Sequence, residues 1–111
     1  MEAVALQQQL QLYKFDEIWT RDGYLLGEAY NLCHRTQDID PVLQLYATYL
    51  YVVSFDIGDD YYVPLDFIAG REPDGRVTLA VTMKQVQNRT WTRIPDFVAR
   101  GQARHEALPE E

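Results

Sequence analysis

The sequence has one cysteine, few basic side chains and no long apolar run. Because Cys33 has no second cysteine to pair with, an internal disulfide is excluded and a reducing compartment is the simplest interpretation. No segment approaches the ~18 consecutive apolar residues that a membrane-spanning helix needs. The first nine residues are rich in glutamine and have neither a basic start nor a long apolar stretch, so neither a secretory signal nor a membrane anchor is expected. These absences together predict a cytoplasmic protein.

Positive charge is scarce and unevenly placed. Lys and Arg total 10 against 17 Asp and Glu, which gives a net charge of −7. Such a chain is a poor ligand for nucleic acid or for an anionic membrane surface, since both are bound through neutralised phosphates. Residues 1–83 carry a net charge of −8, whereas residues 84–104 carry +4. A basic protein, alone or on RNA, stays open as a partner.

Catalytic and metal-binding patterns are also missing. Cys33 and His34 are neighbours on a predicted strand, where adjacent side chains point to opposite faces, so they are not expected to form a thiolate–imidazole pair. His105 lies near the end of the sequence and is expected to be solvated, and the histidines and the cysteine have no zinc-site spacing. The acidic run 56–60 does not match a calcium loop, and no phosphate-binding loop or nucleophile elbow is present. We therefore expect no enzyme activity, no metal and no cofactor.

The remaining pattern is that of a small all-β protein of about six short antiparallel strands. Period-two alternation predicts strands over residues 15–20, 25–34, 45–56, 61–65, 67–72 and 76–81. The Asp-Gly pairs at Gly23 and Gly75 predict hairpin turns, and Gly27 indicates a bulge or a tight bend. Pro64 places its strand at an edge or a bulge, because proline donates no ladder hydrogen bond. One short helix is predicted over residues 82–88, with Thr82 as its N-cap.

Tyrosine is abundant and lies on both faces of the strand 45–56. Its odd positions, from 45 to 55, form a wholly apolar or aromatic face, whereas Leu50 and Val52 lie on the mixed face. This placement suggests that the mixed face is covered, for which a second chain is one candidate. Tyr46 opposes the tyrosines of the other face, and Tyr61 opposes Tyr62, so some rings must lie on the surface. Such rings either cover the ends of the fold or form an interface with another protein.

The order of three motifs resembles the PRC-barrel family. The motifs are Asp-Gly-x-x-Leu-Gly at residues 22–27, Tyr-x-Val-Pro-Leu at 61–65 and Asp-Gly-x-Val-x-Leu at 74–79. The resemblance covers about residues 15–91 and extends to a short helix and tryptophan found in single-domain bacterial members. It implies a small β-barrel that works through protein contacts. The chain departs from the family's photosynthetic reaction-centre H subunit by lacking its membrane helix, and from a ribosome-maturation factor by lacking its N-terminal barrel.

These features predict three regions and a non-catalytic interaction module. The regions are a weakly ordered arm or short helix over 1–13, a PRC-barrel-like domain over 14–91, and a basic, aromatic segment with an acidic tip over 92–111. That last segment is expected to dock on its own barrel or on that of a second subunit. A homodimer is expected; the alternatives are a ribosome- or assembly-associated factor that binds a basic protein, and a small-ligand binder at a tyrosine-lined barrel end. The candidate partner or oligomer surface consists of Tyr46, Leu50, Val52, Tyr61, Trp91, Arg93 and Phe97.

Overall fold

A computed structural model of the chain describes residues 11–36, 46–55 and 60–110. This described part is dominated by strands, which confirms the all-β class. The strands are β1 (Glu17–Trp19), β2 (Leu25–Arg35), β3 (Thr48–Val53), β4 (Tyr61–Pro64), β5 (Ile68–Arg71), β6 (Val77–Leu79) and β7 (Ala103–Ala107). Two short helices, α1 (Met83–Asn88) and α2 (Asp96–Ala99), lie between β6 and β7, and a 3₁₀ turn (Leu65–Phe67) joins β4 to β5.

The predicted hairpin turns and the predicted helix cap are present in the structure. Gly23 and Gly75 have φ angles of 90° and 95°, the left-handed region that a tight turn needs and that glycine adopts without steric cost. They close the hairpins β1–β2 and β5–β6. Thr82 caps α1: its hydroxyl accepts from the Gln85 amide, and the Gln85 side chain accepts from the Thr82 amide. The predicted helix and its N-cap are therefore confirmed.

All seven strands form one sheet around β2. The order along the sheet is β4-β3-β2-β1-β6-β5, and β7 pairs with the second half of β2 on the edge whose first half pairs with β1. The prediction of purely antiparallel pairing is wrong at one place, because β1 and β6 run parallel.

The sheet is open but strongly curled. Its two outer strands, β4 and β5, are consecutive in the chain, and no ladder between them is seen among the described residues. In a flat sheet, six neighbouring strands would place the outer pair about 24 Å apart. The link from Pro64 to Ile68 spans at most about 15 Å. The sheet must therefore curl to bring its ends together, and the core fills the inside of the curl.

The core lies on the face of the sheet that carries Leu50 and Val52, which we call the inner face. Both side chains are fully buried within the single chain, in one cluster with Ile18, Val63 and Val77. The expectation that a second chain could cover Leu50 and Val52 is thus corrected: the chain's own β2 and β4 flank them on the curled sheet. The odd positions of β3 lie on the opposite face, which we call the outer face.

The folded part continues past residue 91. Trp91 is buried in the core cluster, Phe97 on α2 is buried against β3, and Leu108 joins the core after β7. The region 92–111, predicted as a separate segment, thus supplies a seventh strand where six were expected, and its docking within the same chain is observed. Leu12 of the predicted arm is also buried in the core.

Some predictions fall on residues outside the described part of the chain. They concern residues 1–10 of the arm, residues 37–45 of the loop and strand start before β3, and residues 56–59 of the turn before β4. Neither helix of the described residues has the length and apolar character of a membrane-crossing segment.

Candidate interaction surface

The outer face of β2, β3 and β4 carries tyrosines together with polar side chains and the single cysteine. The ladder places Asn31 and Cys33 of β2 opposite Tyr51 and Tyr49 of β3, and Tyr51 opposite Tyr62 of β4. Side chains of directly paired residues lie on the same face of a sheet. One face therefore gathers three tyrosines, an asparagine and the cysteine.

Four rings on this face form a continuous row, which we call the aromatic face: Phe15, Tyr30, Tyr51 and Tyr62. The ring centroids are 5.6 Å apart for Phe15 and Tyr30, 6.4 Å for Tyr30 and Tyr51, and 5.2 Å for Tyr51 and Tyr62. The first two pairs are edge-to-face, the geometry that aromatic quadrupoles favour. Phe15 and Tyr30 are 44% and 37% exposed, and the other two rings are half-buried. The row is thus continuous and partly open to solvent.

Phe15 reaches this row through a strained backbone. Its φ is 73°, a left-handed conformation that costs a residue with a Cβ about 1–2 kcal/mol. Two hydrogen bonds hold it: the Phe15 amide donates to the Ala29 carbonyl over 2.7 Å, and the Ala29 amide donates to the Asp16 carbonyl over 2.8 Å. Strain of this kind is found preferentially at functional positions. Here it presents an exposed ring that the core does not use.

The polar groups around the row are fixed as well. The Tyr51 hydroxyl donates to Asp60 over 2.5 Å, and Asp60 also accepts from the Ser54 amide over 3.2 Å. The hydrogen bond to the carboxylate, with burial second, raises the pKa of Tyr51 to about 12. Burial raises the pKa of Tyr62 too. Both phenols therefore stay neutral to a higher pH than a free tyrosine does.

Lys14 shows that the row accepts a cation. Its Nζ lies 4.9 Å from the ring centroid of Tyr30 and 5.2 Å from that of Phe15. These distances are within the range of a cation–π contact. At one end of the aromatic face, then, the ring surface already binds a positive charge.

Cys33 meets a histidine, but not the one beside it in the sequence. Its Sγ lies 3.7 Å from His105 Nδ1 and 3.7 Å from Asn31 Nδ2, because β7 pairs with β2. Cys33 is only 1% exposed, and burial raises the pKa of its thiol. A nucleophilic or metal-binding cysteine needs the thiolate, which a raised pKa disfavours. The contact joins β2 to β7 and does not activate the sulfur. His34 instead contacts Thr48 and Glu106, at 3.0 and 2.7 Å.

The seven residues predicted as a partner surface do not form one. Leu50, Val52, Trp91 and Phe97 are buried, and Tyr61 packs against the core. The assignment of these residues to a surface is therefore corrected. Leu50 and Val52 belong to the inner face of β3, and the rings of Trp91 and Phe97 pack on the sheet. Phe97 lies between Arg35, 4.2 Å from its ring, and Tyr49. Trp91 lies against Phe67, with Arg89 beside both rings.

The other two predicted residues are not buried in the core. Tyr46 is half-buried against Tyr49 and Phe67, and Arg93 is exposed. The prediction missed all four rings of the aromatic face, Phe15, Tyr30, Tyr51 and Tyr62; for the three tyrosines, alternation along the strands was the available signal. That signal shows that Tyr51 and Tyr62 share a face only when the register of β3 with β4 is known.

The described residues also bear on two other kinds of site, a metal site and a small-ligand pocket. No group of three or more His, Cys, Asp or Glu side chains suited to a metal occurs within the described ranges. A shallow groove of about 360 Å³ lies between the β1–β2 and β5–β6 turns. Its lining contains Trp19 but no tyrosine, and Arg76 there is already paired with Asp74 at 2.7 Å. The groove is therefore not the tyrosine-lined pocket that a small-ligand binder would need.

Comparison of the chain with protein-family models, with curated protein sequences and with solved structures gives no match. The site must therefore be interpreted from its own geometry.

Proposed function

We propose that this protein is a non-catalytic, PRC-barrel-like interaction module of the cytoplasm, which binds protein and associates as a homodimer. The observation that carries the proposal is the aromatic face, with four rings in mutual contact on the outer side of the sheet. The motifs at Gly23, Pro64 and Gly75 resemble those of single-domain bacterial PRC-barrel proteins. The short link between the outer strands supports a barrel-like closure.

The aromatic face has the composition of a protein-binding surface. Tyrosine rings offer a large contact area with few rotatable bonds and keep a hydroxyl group for hydrogen bonding. Interfaces are enriched in such rings, surrounded by polar groups at the rim. Here Lys14 and Asp60 supply the rim at the two ends of the row. The rings already contact one another, so little side-chain entropy remains to be lost on binding.

The state of Cys33 supports the non-catalytic part of the proposal. It is the chain's single thiol, and the pKa of that thiol is raised by burial. The imidazole of His105 lies 3.7 Å from the sulfur, and the pKa of the thiol is raised despite this contact.

A second candidate function is the binding of a basic protein, as in a ribosome- or assembly-associated factor. The specific observation is Lys14, which shows that the rings of Phe15 and Tyr30 accept an ammonium group. A net charge of −7 would attract a basic partner over a distance. Arginine and lysine side chains of the partner would then extend the cation–π contacts along the row.

The test of the interaction module compares three baits in cross-linking mass spectrometry from bacterial cells. They are the wild-type chain, a Tyr30→Ser/Tyr62→Ser variant, and the matched control Tyr24→Ser, whose ring is exposed in the β1–β2 turn. We expect partner cross-links at the aromatic face for wild type and control, and their loss in the double variant. Equal recovery of the same partners by the double variant would overturn the proposal.

The basic-partner candidate has its own test. An arginine-rich peptide and a glutamate-rich peptide of equal length are titrated into the labelled protein and followed by backbone amide chemical shifts. We expect shifts around Tyr30, Tyr51 and Tyr62 with the arginine-rich peptide alone. Shifts of equal size with both peptides, or none at the aromatic face, would contradict a basic partner.

A further inference from the structure

One strand edge of the described sheet is neither covered by another described segment nor interrupted by a bulge. Three strands have an edge without a neighbouring strand: β4, β5 and β7. On β4 the Tyr62 amide donates to the Trp91 carbonyl over 2.7 Å, so that edge is covered. On β5 the register shifts between Ile68 and Gly70, and such a bulge discourages pairing with another chain. β7 pairs with β2 over five residues in continuous register, without a bulge or a proline.

The hydrogen-bond pattern shows which backbone groups of β7 face outward. The Leu108 amide donates to the Tyr30 carbonyl and the Thr36 amide to the Gln102 carbonyl, both over 3.4 Å. In an antiparallel ladder, successive residues direct their N–H and C=O groups to alternate sides. The even positions of β7 therefore bond to β2. The N–H and C=O groups of Ala103, His105 and Ala107 therefore point away from β2, toward solvent. Every residue of β7 is exposed except Ala103, which is half-buried.

The sequence of β7, Ala-Arg-His-Glu-Ala, is complementary to itself when two copies run antiparallel. With His105 opposite the partner's His105, Arg104 lies opposite the partner's Glu106, and Ala103 lies opposite the partner's Ala107. Every outward-facing residue then meets another outward-facing residue. Three such pairs supply on the order of six hydrogen bonds. The side chain of Arg104 makes no hydrogen bond or ion pair with any described residue, so its guanidinium is available.

Charge also selects this register over its neighbours. A slip by one residue would pair outward-facing groups with inward-facing ones, and a slip by two keeps the hydrogen bonds. The two-residue slip, however, places either Arg104 opposite the partner's Arg104 or Glu106 opposite the partner's Glu106. Like charges directly opposite each other destabilise a strand pair. Glu106 contacts His34 through Oε1 at 2.7 Å, which leaves its second oxygen for an arginine.

We infer that β7 is the self-association edge of this protein, and that two copies join their sheets by antiparallel pairing of β7 with β7 about His105. This inference rests on the proposed homodimer and names the element that forms it. Because the outer faces of both copies then lie on one continuous sheet, their aromatic faces would be presented on the same side.

The test is a charge reversal at the edge, read by sedimentation velocity over a range of concentrations. Arg104→Glu turns both inter-chain pairs repulsive, and we expect the dimer dissociation constant to rise about tenfold or more. The matched control, Arg93→Glu, makes the same charge change at an exposed residue away from β7 and should leave it unchanged. Glu106→Arg alone should also weaken the dimer, whereas an equal mixture of the Arg104→Glu and Glu106→Arg chains should form a heterodimer.

A second variant tests the backbone. His105→Pro removes one outward N–H group and leaves the hydrogen bonds of the even positions to β2 in place. We expect a monomer with unchanged far-ultraviolet circular dichroism. If the wild-type chain is a monomer at every concentration, both the homodimer and this inference are overturned. If it is a dimer that Arg104→Glu and His105→Pro leave intact, the homodimer stands and the assignment to β7 is wrong.

Discussion

Replacing Gly27 with alanine should destabilise this fold more than the same change at any other described glycine. A Cβ at Gly27 would lie 2.2 Å from the carbonyl oxygen of Val53 and 2.8 Å from its carbonyl carbon. Both atoms belong to the backbone of β3, so no side-chain rotation can relieve the contact. Relief requires β2 and β3 to separate by about 1 Å at this point, beyond the range of an N–H···O bond.

The cost follows from the hydrogen bonds lost. The pair Glu28–Val53 lies next to the clash, and it carries the ladder hydrogen bonds there, because the Ala29 amide and carbonyl bond instead to Asp16 and Phe15 on the other edge of β2. Breaking the two bonds of this half-buried pair costs about 2–4 kcal/mol. A domain of this size has about 5–15 kcal/mol of stability in total, so Gly27→Ala should remove a large part of it.

The assay is urea unfolding followed by tryptophan fluorescence, since Trp91 is buried and becomes exposed on unfolding. The matched control is Gly75→Ala, where a Cβ would meet nothing within 4 Å but φ is 95°. That variant should cost only about 1–2 kcal/mol, from backbone strain alone. The two variants thus separate steric clash from backbone strain. If Gly27→Ala loses no more stability than Gly75→Ala, the close approach of β3 is refuted.

Three further outcomes are expected. The pKa of Tyr51 is raised from 10.0 to about 12 by its hydrogen bond to Asp60, so this bond stabilises the fold fully below pH 10 and is lost as the pH rises through about 12. An ultraviolet titration should show Tyr51 ionising near pH 12, and Asp60→Asn should lower that value. Phe97→Ala should cost about 3–5 kcal/mol in urea unfolding, because the ring is buried, whereas Ile94→Ala, at a side chain 51% exposed, should change stability by less than about 1 kcal/mol. Cys33, buried with its thiol pKa raised, should react with Ellman's reagent far more slowly in the folded protein than in urea, and a rapid reaction in the native state would contradict its burial.

Local features of the fold could be predicted from the sequence because they depend on neighbouring residues. The turns at Gly23 and Gly75 need only a positive φ, and the cap of α1 needs only Thr82 and Gln85 at their spacing. The bulge expected near Gly27 is also present, since the β1–β2 register shifts between its pairing with Ile18 and the next pair.

The inner face of β3 could not be chosen from the sequence. Both of its faces carry large apolar or aromatic side chains, so alternation alone does not distinguish them. The decision is made by partners: Leu50 lies between Leu32 of β2 and Val63 of β4, and together they form a purely aliphatic layer. The tyrosines, whose hydroxyl groups need a hydrogen-bond partner such as Asp60 or water, take the other face.

β7 was missed for a different reason. Arg104, His105 and Glu106 give it a polar pattern that is typical of a solvated tail. It becomes a strand because β2 extends beyond β1 and leaves half of one edge unpaired. Such a strand is stabilised by a backbone ladder with residues about 72 positions earlier, as in the pair Cys33–His105, and no local signal reports that pairing. The contact of Cys33 with His105 was missed for the same reason.

The long separation between β2 and β7 has a consequence for how the chain folds. Closing a loop of 72 residues costs roughly 2.5 kcal/mol more in chain entropy than closing the four-residue loop from Glu72 to Arg76. Contacts of such high sequence separation form late. Until β7 docks, half an edge of β2 is an open template, and the β7 of a neighbouring molecule can occupy it as well as the chain's own. Refolding at high concentration should therefore trap domain-swapped species in which β7 is exchanged between molecules, and dilution during refolding should suppress them.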